Sequence, residues 1–198
     1  MKLYLNAASP YARLVRVLVL ETRLHAGCEL HFVDPWESPP ELLAHNPAAR
    51  VPVLVLDDGV SLTESGCICD YLIALAHMPQ LAWQAAPHPA ARLRLLGLGR
   101  ALLDCAFGAV VLERFSPDHA LAVRWRSAIP RLTASLQELV ADAPRGAPVD
   151  LADLTLAVAL EYLAFRLPEL GWQRDCAELA EWSAHMRERP SLAATRPR

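Results

Sequence analysis

The stretch Lys2 to Asn6 alternates apolar and polar residues with a period of two and predicts a short strand. Ser9-Pro10 follows, an N-cap residue type ahead of a proline suited to the first helical position. It opens a helix through Leu14, Val17, Leu18 and Glu21 toward Gly27. Glu29 to Val33 predicts a second strand, which begins a βαβ unit. Beyond the irregular Asp34 to Pro40, a brief helix is possible over Glu41 to His45. Val53 to Leu56 and Val60 to Thr63 predict two strands joined by Asp57-Asp58-Gly59, a strong hairpin signal. Glu64-Ser65 then caps a helix through Ile68, Tyr71, Leu72 and Leu75.

Met78 to Pro89 carries three prolines and no clear period, as an interdomain linker does. Apolar residues at helical spacing dominate from Ala90 to Phe115 and from Pro117 to Ala141, where Pro130 should kink or divide the helix. Asp150 to Asp153 resembles a capping box, with two carboxylates flanking the first turn. The nearly all-apolar helix behind it, through Leu156, Ala159, Leu160 and Leu163, belongs in a core. Ala177 to Arg189 is the last predicted helix, ended by Pro190. The pattern thus gives a small α/β domain over residues 1–77, a linker at 78–89 and an all-helical domain over 90–198.

Composition narrows the function classes. The 198 residues are 54% hydrophobic and 21% charged, with a mean hydropathy of +0.20, which excludes a disordered chain. A net charge of −3 gives no field that would draw the chain to nucleic acid or an anionic membrane. The first residues lack a signal-peptide pattern, and the apolar run Leu14 to Leu20 is broken by Arg16 and too short to span a bilayer. A cytoplasmic protein is expected. Five cysteines without a CxxC pair do not make a disulfide framework. Cys67 and Cys69 point to different faces of their helix and read as small buried residues. Seven histidines without ligand spacing predict no metal site.

Three features carry possible chemistry. Ser9 stands where a helix start favours an anion, and its hydroxyl can donate to a thiolate. A plain helix cap accounts for it equally. Arg50-Val51-Pro52-Val53 puts an X-Pro bond at a strand entrance, where a cis corner would offer the Val51 backbone to an extended peptide. A trans proline at a sheet edge is the ordinary alternative. Glu64-Ser65 can take both an amine and a carboxylate, or serve as a simple capping pair.

Their order along the chain resembles a bacterial glutathione transferase. The stretches that carry the resemblance are Ser9 to Arg16 (SPYARLVR), Asn46 to Leu54 (NPAARVPVL) and Leu62 to Ser65 continuing to Tyr71-Leu72. Asp150 to Asp153 and Arg189-Pro190-Ser191 match the family's helical domain. The resemblance implies a thioredoxin-like first domain, βαβ followed by ββα, and a helical second one. It implies Ser9 as the activating hydroxyl beside the glutathione sulfur. The Val51 backbone and cis-Pro52 would hold the cysteinyl part, Glu64 and Ser65 the γ-glutamyl amine and carboxylate, and Arg50 the glycyl carboxylate. Arg50 stands where the family often has lysine, and Ala49 where glycine is common. Tyrosine and cysteine are the family's other catalytic residues, but Tyr4 lies within a strand, Tyr11 lies one turn into the helix, and no cysteine is near.

By the same resemblance, Tyr11, Leu103, Phe107 and Val110 would line an electrophile pocket between the domains, with Trp36 a further candidate. The expected activity is attack of the glutathione thiolate on a small hydrophobic electrophile by a homodimer. A glutathione-binding scaffold without turnover, or a glutathione-dependent isomerase or peroxidase, would use the same residues.

Overall fold

A computed structural model describes residues 1–116, 119–142 and 148–197. The predicted helix start at Pro117 lies outside them. The chain forms two compact units, one over Met1–Ala82, with Pro197 grouped with it, and one over Trp83–Arg196.

In the first unit β1 (Lys2–Leu5) leads to α1 (Pro10–Glu21), β2 (Glu29–Phe32), the single turn α2 (Pro40–Leu43), β3 (Val53–Val55), β4 (Ser61–Thr63) and α3 (Ser65–Leu75). The sheet order is β2-β1-β3-β4, with β1 and β2 parallel and the other pairs antiparallel. Parallel neighbours need a crossover, and α1 supplies it. Tyr4 and Val53 pack with Val33 and Leu42 on the face that α2 covers. Side chains alternate along a strand, so Leu3 and its partner Leu54 point the other way, and both are fully buried. α1 ends earlier than its apolar pattern suggests. Thr22 hydroxyl donates back to the Leu18 carbonyl at 2.7 Å, and Arg23 turns left-handed at φ 60°.

The second unit contains α4 (Pro89–Phe115), α5 (Ala120–Ala141), α6 (Leu151–Arg166), α7 (Trp172–Asp175), α8 (Ala177–Arg187) and α9 (Pro190–Ala194). α4 packs against both α5 and α6, and every residue from Leu151 to Leu163 is buried. By length and composition alone α4 could cross a membrane, which a search for uninterrupted apolar runs does not detect. Here Leu95, Leu96, Leu102, Leu103, Ala106 and Ala109 are buried, while Leu93 and Phe115 are exposed. At Gly108 an added Cβ would stand 2.3 Å from the Trp125 ring, so the missing side chain is what admits that ring between α4 and α5.

Three expectations are corrected. Pro130 does not divide α5, which runs unbroken through it; Ile129, Thr133 and Leu136, buried on one face, hold the helix across the missing N–H. Pro190 ends no final helix but opens α9, at a position where its absent N–H has no partner to lose. Cys67 is exposed, because the buried stripe of α3 runs through Ile68, Cys69, Leu72 and Ile73 and leaves it outside.

The capping box at the head of α6 is present in both directions. Asp150 accepts from the Ala152 N–H at 2.7 Å and the Asp153 N–H at 3.4 Å, while Asp153 accepts from the Asp150 N–H at 3.0 Å. Arg92 of α4 adds a fork that the sequence did not reveal. It donates through Nε and Nη2 to Asp150 at 2.7 and 2.6 Å, and through Nη2 to Asp153. Burial opposes the Arg92 charge, yet these bonds lift its proton affinity above the ordinary value. Burial also raises the Asp153 carboxyl above the usual carboxylate range, against the pull of Arg92.

Candidate functional site

Register places the three candidate segments together. Tyr4 pairs with Val53, and Val53 with Thr63, so these three residues form one row across the sheet. β1 runs toward this row, β3 starts from it and β4 ends on it. Ser9 follows β1, Val51 and Pro52 precede β3, and Glu64 and Ser65 succeed β4. All five therefore gather at one end of the sheet.

Ser9 is the N-cap of α1, and its Oγ accepts from the Ala12 N–H at 3.2 Å. The hydroxyl proton remains available to a ligand atom. Asn6 shapes the approach: its carbonyl accepts from the Ser9 N–H at 3.1 Å, its Oδ1 from the Ala8 N–H at 2.9 Å, and its Nδ2 donates to the Val33 carbonyl at 3.1 Å. Pro10 is buried and Tyr11 half-buried in the first turn.

The second segment is a tight loop built on Asn46, only 8% exposed. Its Nδ2 donates to the Arg50 carbonyl at 2.9 Å, and its Oδ1 accepts from the Ala48 N–H at 3.1 Å. Arg50 is exposed and Val51 half-buried. The Val51–Pro52 bond is cis. Ala49 sits at φ 51°, a left-handed conformation that Cβ disfavours, so this alanine occupies a glycine's geometry. Ala49→Gly is expected to raise stability by about 1 kcal/mol, or roughly 3 °C in melting temperature, measured by thermal denaturation.

Glu64 is the N-cap of α3 by position but makes no side-chain cap, and its backbone is held at φ 65°, ψ 119°. Such a conformation in a non-glycine residue costs about 1–3 kcal/mol and marks functional segments. The first N–H groups of α3 thus lack a side-chain partner from Glu64, and Glu64 itself is exposed. Ser65 is half-buried at the first helical position.

The other candidates lie elsewhere. Leu103, Phe107 and Val110 are on α4 in the second unit. Leu103 is 1% exposed and belongs to the core, whereas Phe107 and Val110 are half-buried. The Phe107 ring lies 6.5 Å from that of Tyr162. Trp36 is 50% exposed in a 3₁₀ turn after β2. Tyr4 is buried under α2 and is no part of this end of the sheet's chemistry. Burial lifts the Cys28 and Cys105 thiols above their ordinary values, which suppresses their thiolates. Among the described residues, no group of three or more His, Cys, Asp or Glu is placed to hold a metal ion.

Sequence reasoning missed the two asparagines, Asn6 and Asn46, that fix the loops. Each precedes a turn of small residues or proline, the local signal for an Asx turn.

Known proteins share this fold. Residues 3–80 match the glutathione S-transferase N-terminal domain. A glutathione transferase family member from Pseudomonas fluorescens Pf-5, crystallised with bound glutathione, is 31% identical; the alignment covers 100% of this chain and 98% of that one, with a TM-score of 0.86. A glutathione S-transferase from Methylobacillus flagellatus KT, also with glutathione bound, is 29% identical over 100% and 99% of the chains, with a TM-score of 0.86. The uncharacterized GST-like protein YibF of Escherichia coli K12 is 28% identical over 100% of this chain and 98% of its own. A thioredoxin-like unit followed by a mostly helical one is the architecture of that class. The chain belongs to the glutathione S-transferase superfamily.

Proposed function

We propose that the chain is a glutathione transferase whose sulfur site is Ser9. The observation that supports it most is the shared row Tyr4–Val53–Thr63, which brings a helix-capping hydroxyl, an offered backbone and an acidic-Ser pair to one sheet end. Both relatives with bound glutathione share the fold.

Glutathione lies extended across this end. The Val51 N–H and C=O pair with its cysteinyl unit beside Pro52. Glu64 takes the γ-glutamyl ammonium, while the Ser65 hydroxyl and the first N–H groups of α3 take the neighbouring carboxylate. Arg50 forks onto the glycyl carboxylate. The sulfur sits at the head of α1, where Ser9 donates a hydrogen bond and the helix start contributes partial positive charge. Both favour the thiolate, and the thiol proton passes to solvent. The thiolate then attacks a small apolar electrophile: the S–C bond forms as the leaving group departs with its electron pair. Proximity and thiolate stabilisation carry the rate, with no separate general base. Tyr11, in the first turn of α1, is the proposed electrophile contact of the first unit, and the working form is a cytoplasmic homodimer.

Calorimetric titration with reduced glutathione tests the site. Micromolar to low-millimolar binding is expected, and no heat from the folded protein would remove the proposal. Glu64→Gly sharpens the test. Binding should weaken at least about tenfold as the ammonium loses its partner. Stability should rise by about 1 kcal/mol as the left-handed backbone is relieved.

A further inference from the structure

Asn6 stands where the chain leaves the sheet for α1, and its side chain stays behind. β1 and β2 are parallel neighbours, and their ladder reaches Val33, whose N–H donates to the Leu5 carbonyl at 2.9 Å. A side chain makes the next rung: Asn6 Nδ2 donates to the Val33 carbonyl at 3.1 Å. The amide thus takes the place of a peptide group in the sheet while the main chain turns away. Its other half closes that turn. Oδ1 accepts from the Ala8 N–H at 2.9 Å, and the Asn6 carbonyl accepts from the Ser9 N–H at 3.1 Å. Ala7 and Ala8, between Asn6 and Ser9, are exposed and bring no polar side chain to hold the turn. On the far side Ser9 leads into buried Pro10 and caps the Ala12 N–H at 3.2 Å. The hydroxyl is therefore fixed from two directions, by α1 and by Asn6.

We propose that Asn6 is the positioning residue for the Ser9 hydroxyl: it sets where that hydroxyl donates, and so how much of a bound sulfur is held as thiolate. This role rests on the glutathione reading of the site. A hydrogen bond weakens steeply as it leaves its line, and a displacement of about 1 Å at a reacting group can lower a rate about 10²-fold. Loss of Asn6 removes one restraint on Ser9 and leaves the other, so the expected effect is about tenfold.

The residue type matters because the two partners are of opposite kind. Val33 offers a carbonyl and Ala8 an N–H, so the side chain must donate at one end and accept at the other, as an amide does. Aspartate would set a carboxylate against the Val33 carbonyl. Serine can accept from the Ala8 N–H as a turn former but is too short for Val33. Asn6 acts on the sulfur only through Ser9, and two residues that act through one group do not have additive effects.

The test compares the parent, Asn6→Ala, Ser9→Ala and the double variant by conjugation of glutathione to a chlorodinitrobenzene probe, calorimetry and ultraviolet titration of the bound thiol. Asn6→Ala should conjugate about tenfold more slowly and raise the apparent pKa of the bound thiol by about one unit, with glutathione affinity within about twofold of the parent. Its rate should recover toward the parent's as pH rises above that pKa, because thiolate is then restored. A turn that served folding alone would give no such recovery. In the Ser9→Ala background the same substitution should change the rate less than about twofold. Should Asn6→Ala fail to fold, Asn6→Ser, which keeps an acceptor for the Ala8 N–H and loses only the Val33 rung, carries the same test with an effect of about threefold. An unchanged rate in the folded variant, a loss of rate with no change in the thiol pKa, or an equal loss with and without Ser9 would overturn the role of Asn6 and leave the glutathione reading intact. A parent protein that neither binds nor conjugates glutathione would sink that reading and this role with it.

Discussion

Ser9→Ala is expected to slow the conjugation of glutathione to a chlorodinitrobenzene probe by about 10²-fold, while the calorimetric affinity for glutathione changes little. Loss of one preorganised donor to a developing or resident anion has an effect of that order. Affinity survives because, in the proposed site, the Val51 backbone, Glu64, Ser65 and Arg50 hold the remainder of the tripeptide. The split between rate and binding separates a sulfur-activating hydroxyl from a mere helix cap. A cap alone would lower stability by about 1 kcal/mol. Ultraviolet titration of the bound thiol gives a second readout: its apparent pKa should rise by roughly two units, equivalent to about 2.7 kcal/mol of thiolate stabilisation. An unchanged rate would take Ser9 out of the mechanism.

Asp150→Ala should be the most damaging change to stability. It removes the acceptor for the Ala152 and Asp153 N–H groups and leaves Arg92 with one carboxylate where it had two. Loss of a cap contributes about 1 kcal/mol. Breaking a buried ion pair contributes about 3–5 kcal/mol, taken at the low end or below because Asp153 remains. A total near 3 kcal/mol lowers the melting temperature by roughly 6–12 °C in a chain of this size. Asp150→Asn keeps the cap oxygen and loses the charge, so about half the effect is expected. Equal melting of parent and Asp150→Ala protein would show that the Arg92 fork carries no net stabilisation.

Much of this molecule is legible locally. The Ser9-Pro10 start, the Asp-Asp-Gly turn and the Asp150–Asp153 box each satisfy backbone groups within a few residues, and the alternation of Lys2 to Asn6 carries its own period. Their sequences therefore announce them. What stays hidden depends on distant partners or on backbone energy. Arg92 meets Asp150 across 58 positions, and nothing near either residue reports the other. Glutamate at 64 gives no hint of a positive φ, since the residue type argues against it; the conformation is imposed by the strand end before it and the helix after it. Pro130 misleads for the opposite reason. Its local penalty is real, but packing of α5 on α4 outweighs it. The order of the three site segments was legible only as a pattern, because each alone is also an ordinary cap or corner.

The hairpin between β3 and β4 has a reach beyond its own turn. Leu56 N–H donates to the Val60 carbonyl at 2.8 Å, and Gly59, at φ 88°, closes the loop at the end of the sheet away from Ser9. That turn length is what pairs Val53 with Thr63. One extra residue there would slide β4 by about 3.4 Å along β3 or reverse its faces. Glu64 and Ser65 would then be carried out of line with Val51. The spacing on which the proposed glutathione recognition depends is thus dictated by a loop outside that site, and insertions tolerated on most surface turns would be felt here as lost affinity.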